Sequence, residues 1–190
     1  IPTSITSICE NSFEGCTSMT QIMIPSSVKT VGKQCFKDCI KLSEITIDPY
    51  QTSTENDSFE NCSSLEILNI SDTVRRISNK PDSIIQKMRK VTIPNTVFAL
   101  ENNSFEGCTS LVEMNLPTSV TSIGSNCFAE CTSLKTISIP SSITSISKGC
   151  FYKCASLCKL TIPTSITSIC ENSFEGCTSL VEMNLPTSVT

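Results

Sequence analysis

The sequence predicts a β-rich solenoid in which about eight copies of one short unit, here called rungs, stack on each other. A Phe recurs at multiples of 23 residues, a Cys follows it by three residues, and a short aliphatic strand pattern comes next. One such rung cannot bury its apolar positions alone, whereas a stack buries them as continuous columns. The repeated residues are Phe13, Phe36, Phe59, Phe105, Phe128, Phe151 and Phe174, with Cys16, Cys39, Cys62, Cys108, Cys131, Cys154 and Cys177.

After the Cys, each rung carries a stretch typical of a β-strand with one side in a core. A Leu or Met follows the Cys, and two aliphatic residues then alternate with polar ones, as in Leu134, Ile137 and Ile139. A period of two places successive side chains on opposite faces of a strand. In most rungs a Pro follows, such as Pro140, and ends the strand because it lacks a ladder N–H.

The rest of each rung is predicted to bring the chain back to the next strand. Two further branched residues, such as Ile143 and Ile146, return apolar groups to the same interior. The segment from Phe through Cys to Leu has a three-residue step, which suits a 3₁₀ or helical turn. Each rung therefore has a strand side, a return side and a turn that carries the Phe.

Near-identical rungs support stacking of equivalent units. Residues 1–18 recur at 162–179, and residues 103–121 recur at 172–190. This identity indicates recent duplication, so the chain, residues 1–190, is expected to be a single solenoid domain from a longer array. Unpaired strand edges at the ends of such an array favour end-to-end self-association.

Composition argues against several classes of function. The chain has 14 Lys and Arg against 18 Asp and Glu, so it lacks the basic field that a nucleic-acid partner requires. It contains no His, the commonest general base and a frequent metal ligand. No apolar run reaches the ~20 residues of a membrane span. No catalytic residue, cofactor site or metal site is predicted, and the chain is not expected to be an enzyme.

The 13 cysteines leave two interpretations open. The seven that follow Phe can pack as free thiols in the core, or they can form disulfides between rungs. Cys9, Cys158 and Cys170 fall outside that position and are expected to be exposed. A zinc site would need two Cys pairs to converge, and the C-x-x-x-C spacings here only reflect repeat positions.

The rung CTSLVEMNLPTSVTSIGSNCFAEC at 108–131 resembles the BspA-type leucine-rich repeats. The resemblance extends over essentially the whole chain, and the Ser- and Thr-rich rungs are similar to versions expanded in Trichomonas and Entamoeba. It implies a leucine-rich-repeat solenoid, formally α/β, that recognises proteins or glycans without catalysis, in adhesion or host interaction at the cell surface or after secretion. The alternative is an intracellular, cytosolic scaffold or regulatory repeat protein, which many unpaired thiols would suit.

The outward side of the strands is the candidate binding surface, here called the strand face. In solenoids of this kind that side is concave and commonly used for partners, although plain solvation of a sheet is the alternative. The candidate residues are Gln21, Met23, Glu44, Thr46, Ile67, Asn69, Lys90, Thr92, Glu113 and Asn115. The same two positions continue as Thr136, Ser138, Lys159, Thr161, Glu182 and Asn184.

A first segment that departs from the repeat lies at about 48–58. Polar Gln51 and Thr54 stand where Val and Ile belong, so this return segment is predicted to bulge outward as a polar loop. Loops in a regular solenoid often carry recognition, while decay of a redundant rung is the alternative. The segment includes Asn56, which is expected to be the most accessible of the N-x-S sequons.

A second irregular segment, at about 78–90, lacks the Phe and the Cys of its rung. Pro81 and Asp82 stand in place of the residues around the Phe, yet Val91 keeps its strand position. The inner strand is therefore expected to survive. Phe98, the one Phe outside the repeat, is predicted to refill part of the missing ring's volume. Recognition and decay are again the two alternatives for this segment.

Overall fold

The computed structural model shows a parallel β-solenoid with one inner strand for each rung. The chain falls into two compact units, Ile1–Thr73 and Val74–Thr190. The structure describes residues 1–55, 57–78, 83–181, 183, 185, 187 and 189. The predictions made for Asn56, Pro81, Asp82, Glu182 and Asn184 lie outside these residues.

In the first unit, equivalent segments of successive rungs pair in parallel on two sides. On the return side, the sheet contains β1 (Ser7–Ile8), β3 (Thr30–Val31) and β5 (Ser53–Thr54). On the strand side, the pairing strands are β2 (Gln21–Met23), β4 (Glu44–Ile47) and β6 (Ile67–Ile70). Ile45 lies opposite Ile22 and Leu68, so the register advances by one whole rung and equivalent side chains are neighbours.

The second unit repeats this arrangement. Its strand side contains β8 (Lys90–Thr92), β10 (Glu113–Asn115), β12 (Thr136–Ser138) and β14 (Lys159–Thr161). Its return side contains a sheet of β7 (Arg76–Ile77), β9 (Ala99–Leu100) and β11 (Ser122–Ile123), and a pair of β13 (Ser145–Ile146) and β15 (Ser168–Ile169). Seven inner strands are thus described, against the predicted eight or so.

The core of each unit consists of columns of equivalent side chains, which confirms the predicted register. In the second unit the buried ring of Phe128 stacks between Phe105 and Phe151, with centroids 5.4 and 5.5 Å away. Phe36 is stacked in the same manner in the first unit. The aliphatic side chains beside the rings are equally buried, and Leu134, for example, has no exposed area. Stacking of whole rungs therefore buries what a single rung leaves open.

The turn that carries the Phe has the predicted three-residue hydrogen-bond spacing. The amide of Cys108 donates to the carbonyl of Phe105, and the amide of Leu111 donates to the carbonyl of Cys108, both at 3.1 Å. These are separate turns, and the structure assigns no continuous 3₁₀ helix to the described residues. The residues two before and two after the Phe have left-handed backbones, as in Asn103 (φ 60°) and Gly107 (φ 71°). Asn, Asp and Gly recur there because they adopt this region at the lowest cost.

A substitution at Gly107 tests the left-handed position alone. A methyl group added at Gly107 would meet no atom within 4 Å, so only backbone strain opposes Ala there. We expect Gly107→Ala to lower the free energy of unfolding by about 1 kcal/mol in urea titrations. Gly107→Asn should cost less, because Asn61 occupies the equivalent position with a φ of 57°. Equal costs for Ala and Asn would contradict this assignment.

The first irregular segment does not bulge outward, so that prediction is wrong. Asp48 is only 1% exposed, and its Oδ1 accepts hydrogen bonds from the amides of Tyr50 and Gln51 at 3.1 and 3.2 Å. Buried Thr52 donates its hydroxyl to the carbonyl of Val28 at 2.7 Å. Polar side chains remain inside here because the turn satisfies their hydrogen bonds. The return strand β5 then forms in the regular register.

In the second irregular segment the inner strand survives as predicted, but Phe98 does not fill the missing ring's place. The helix α1 (Ser83–Lys87) stands in the turn, and its Ile84 and Ile85 are buried. Phe98 is 41% exposed, and the guanidinium carbon of Arg76 lies 5.1 Å from its ring centroid. The two isoleucines therefore supply buried apolar groups in the turn of this rung.

Candidate functional site

The strand face of the first unit consists of two rows of outward side chains. One row is Gln21, Glu44 and Ile67, and the other is Met23, Thr46 and Asn69. Met23 is 65% exposed, and Ile67 is half-buried. The Asn69 amide donates to the Glu44 carboxylate across neighbouring strands. All six predicted residues of this unit lie where the repeat places them.

The strand face of the second unit has the same two rows with a different chemistry. One row runs Lys90, Glu113, Thr136 and Lys159, and the other runs Thr92, Asn115, Ser138 and Thr161. Lys90 Nζ lies 3.2 Å from Glu113 Oε1, and both side chains are about half exposed. Such an exposed pair contributes only ~0–1 kcal/mol, so it leaves the surface open to competing charges.

The strand-face side chains differ from other polar residues in how the fold uses them. None of the ten predicted residues makes a side-chain hydrogen bond to a backbone group in the described part of the chain. On the return side of the second unit, by contrast, each of four successive rungs donates a hydroxyl hydrogen bond to a carbonyl of the preceding rung. These bonds join Thr96 to Val74, Ser119 to Val97, Ser142 to Val120 and Ser165 to Ile143. The strand face is therefore the side whose predicted residues make no side-chain bond to the described backbone of a neighbouring rung, although Asn69 bonds to Glu44 and Lys90 pairs with Glu113 across neighbouring strands.

The thiol column also has a structural task that the sequence did not reveal. The Cys39 thiol donates to the carbonyl of Phe13 at 3.1 Å, and the Cys154 thiol donates to that of Phe128 at 3.0 Å. All 13 cysteines are free, with Cys9, Cys158 and Cys170 exposed as predicted. The repeated Cys thus links neighbouring rungs by a hydrogen bond as well as by packing.

Burial keeps the core thiols protonated. Desolvation raises the pKa of Cys35 and of Cys62 from the ordinary 9.0 to about 11, and that of Cys154 to about 12. The pKa of Cys131 is also raised, by a hydrogen bond with Cys108 and then by burial. A protonated thiol is a poor nucleophile and a poor metal ligand, so these groups are suited to packing and hydrogen bonding.

These raised pKa values predict a loss of stability at alkaline pH. Folded thiols hold their protons above the pH at which unfolded thiols release them, so their contribution is full below about pH 9 and falls above it. Each such thiol should lower the free energy of unfolding by up to about 1.4 kcal/mol per pH unit between about pH 9 and 11. Urea titrations across this range should show a shallower slope in Cys154→Ala. An unchanged slope in Cys154→Ala, or an equal change in the exposed Cys158→Ala, would contradict the prediction.

No metal or membrane-spanning element is found in the part of the chain that the structure describes. No three Cys, Asp or Glu side chains there are grouped as metal ligands. Within the same residues, no helix has the length and apolar character to cross a bilayer. A depression of about 340 Å³ lies on the return side of the second unit, beside Arg76, Glu101, Asn102 and Gly124. It is separate from the strand face.

Comparison with solved structures gives several leucine-rich repeat proteins. One from Bacteroides ovatus is 30% identical, with a TM-score of 0.66, over 89% of this chain and 46% of that chain. The leucine-rich repeat protein of T. pallidum is 25% identical, with a TM-score of 0.49, over 93% of this chain and 72% of that chain. The chain therefore spans less than half the length of the Bacteroides protein. No curated protein matches the sequence.

A family profile covers the chain from end to end. It is described as a BspA type leucine-rich repeat region, and it matches six copies over residues 1–111 and 83–190. Leucine-rich repeats usually mediate protein binding, and the family is one of repeat proteins that are generally non-enzymatic. With its 23-residue rungs, parallel inner strands and stacked Phe column, the chain belongs to the BspA-type leucine-rich repeat family.

Proposed function

We propose that the chain is a non-enzymatic module that binds another protein through its strand face. The observation that carries this proposal is the unequal use of polar side chains. Hydroxyls and thiols such as those of Ser142 and Cys154 bind the backbone of the preceding rung, whereas Thr46, Thr92 and Asn115 on the strand face make no such bond within the described residues. Polar groups that stacking leaves available are the ones that can bind a partner.

The rows of the strand face suit a partner that is engaged over several rungs. Neighbouring parallel strands are about 4.8 Å apart, so each row presents a side chain at that interval. Single exposed polar contacts contribute little, and affinity then depends on many of them together with a few apolar anchors. Met23 and Ile67 are candidate anchors in the first unit. A glycan is the second class of ligand that such polar rows can accept.

We further propose that this binding takes place at the cell surface, in adhesion or host interaction. Membership of the BspA-type repeat family supports this proposal. It is tested by labelling intact cells of origin with a membrane-impermeant amine reagent. Modification of the protein in intact cells is expected, while modification only after lysis would contradict a surface role. Self-association through the strand edges at the ends of the stack remains a prediction, which light scattering over a range of concentrations would test.

An intracellular scaffold is the second candidate, and the 13 free thiols favour it. Thiols persist unpaired in reducing compartments, whereas secreted domains commonly form disulfides. Titration of the denatured native protein, with and without reductant, distinguishes the two candidates. Fully reactive thiols without reductant support the scaffold, and mostly blocked thiols contradict it.

Site-specific photo-crosslinking in the cell of origin tests the proposed strand face itself. Benzoylphenylalanine at Thr46 or Thr92 is expected to crosslink the chain to a partner protein. The control places the same group at Thr144, an exposed residue on the return side of the second unit. A crosslink from the strand positions but not from Thr144 supports the proposal. Equal crosslinking from all three positions, or from Thr144 alone, would contradict it.

A further inference from the structure

The strand faces of the two units carry opposite charge. In the first unit, the outward rows and the residue before each strand include Glu44 and Glu66 and no Lys or Arg. The same positions of the second unit include four cations against Glu113 among the described residues. These cations are Arg89, Lys90, Lys135 and Lys159. The net charge of −4 for the whole chain conceals this local excess of positive charge.

Backbone hydrogen bonds determine on which rungs these positively charged residues lie. The amide of Val112 donates to the carbonyl of Arg89 at 3.0 Å, and the amide of Lys135 donates to that of Val112 at 2.8 Å. The amide of Lys159 then donates to the carbonyl of Lys135 at 3.3 Å. Lys135 and Lys159 therefore lie on neighbouring rungs, and the rung of Val112 and Glu113 separates Lys135 from Arg89.

Lys135 and Lys159 are the centre of this surface. Both are exposed, and neither forms an ion pair with another described residue. Glu182, which the repeat places after Lys159, lies outside those residues. Elsewhere in this unit, Lys148 and Lys153 are paired with Glu171 and Glu130 at 2.8 and 3.7 Å. Neighbouring like charges weaken a sheet slightly, so two adjacent lysines that form no ion pair within the described residues favour a partner that supplies carboxylates.

We infer that the strand face of the second unit binds an acidic stretch of a partner protein. This inference rests on the proposed function and names the chemistry of the partner. Charge complementarity carries it, because carboxylates on neighbouring residues of an extended segment would pair with Lys135 and Lys159. A nucleic acid is a poorer match, since the chain is acidic overall and the described strand-face residues of this unit include no aromatic side chain for base stacking.

A fluorescent decaglutamate peptide is the probe, and its binding is measured by anisotropy at low and at high ionic strength. The test variant is Lys135→Glu/Lys159→Glu. The control variant Lys148→Glu/Lys153→Glu makes the same change of charge in the same unit, away from the strand face. Circular dichroism melting checks that both variants are folded. The test variant should bind the peptide at least about tenfold more weakly, while the control changes affinity by about twofold or less.

Three outcomes would overturn the inference. The first is that the unmodified chain does not bind decaglutamate, and the second is that both variants lose affinity for decaglutamate equally. The third is that heparin binds more tightly than decaglutamate, which would assign the surface to a sulfated glycan. The proposed function fails separately, through the photo-crosslinking at Thr46 and Thr92. Crosslinks there without decaglutamate binding would leave a protein-binding face whose partner is not acidic.

Discussion

Phe128→Ala should lower the free energy of unfolding by about 3–5 kcal/mol. The Phe128 ring has no exposed area and lies between two parallel rings, so its removal leaves a cavity bounded by Phe105 and Phe151. Neighbouring rungs hold the backbone in place, and the cavity therefore cannot collapse fully. Urea titration followed by circular dichroism measures the loss.

Phe98→Ala is the matched control for the ring substitution. Phe98 belongs to the same unit, but its ring is exposed and contacts the Arg76 guanidinium at the surface. Its replacement should cost about 1 kcal/mol or less, the value of an exposed cation–π contact. A cost for Phe98→Ala that equals or exceeds that of Phe128→Ala would contradict the assignment of Phe128 to the core column.

Leu134→Ala is the second substitution with a large expected effect, a loss of about 2–5 kcal/mol. Leu134 is completely buried at the end of the turn, where its side chain adjoins the inner strand of the same rung. Thr136→Ala, two residues further on, changes an outward side chain and should leave the free energy of unfolding nearly unchanged. Similar unfolding midpoints for the two variants would mean that inward and outward positions are interchanged.

The regular part of the fold was predictable because every rung must bury the same positions against its neighbours, so the same residue types recur at those positions. Seven occurrences of Phe at one spacing define a column without any knowledge of strand propensity. The strand-face residues follow from alternation around buried positions such as Met114 and Ile137, and those that the structure describes lie on the predicted side. The whole-rung register then follows, since any other offset would place polar side chains in the aliphatic column.

The first departure arises where buried polar groups find hydrogen-bond partners in their own turn or in the preceding rung. Asp48 and Thr52 remain buried because the amides of Tyr50 and Gln51 and the carbonyl of Val28 satisfy them, which residue counting cannot anticipate. In the second irregular segment, buried Ile84 and Ile85 come from the helix α1, and Phe98 lies at the surface beside Arg76.

The left-handed positions and the return-side hydroxyls also have sequence signals, which are separate from the spacing of the apolar residues. Asn or Gly two residues before and after the Phe marks the left-handed positions, as at Asn103 and Gly107. In the second unit, a Ser or Thr directly before the return-side Val or Ile marks the hydroxyl that binds the preceding rung, as at Ser142. The thiol hydrogen bond, as from Cys154 to Phe128, needed coordinates because packing alone also explains a repeated Cys.

These features together explain why the strand face is the candidate for recognition. The return side uses hydroxyl groups such as that of Ser142 for stacking, and the turns use the thiols and backbone amides for the same purpose. The strand-face side chains can change without loss of these bonds. A stack built in this way permits one face to acquire a local charge, as the second unit does at Lys135 and Lys159.

Each position of the repeat lies in one environment, either buried or exposed to solvent. Differential alkylation of the cysteines in the native protein tests this in one measurement. Mass spectrometry after brief iodoacetamide treatment reports all 13 cysteines separately. We predict rapid modification of the exposed thiols Cys9, Cys158 and Cys170, and protection of buried Cys127, Cys131, Cys150 and Cys154 until the chain is unfolded. Modification of Cys127 or Cys131 as fast as that of Cys158 would contradict the account.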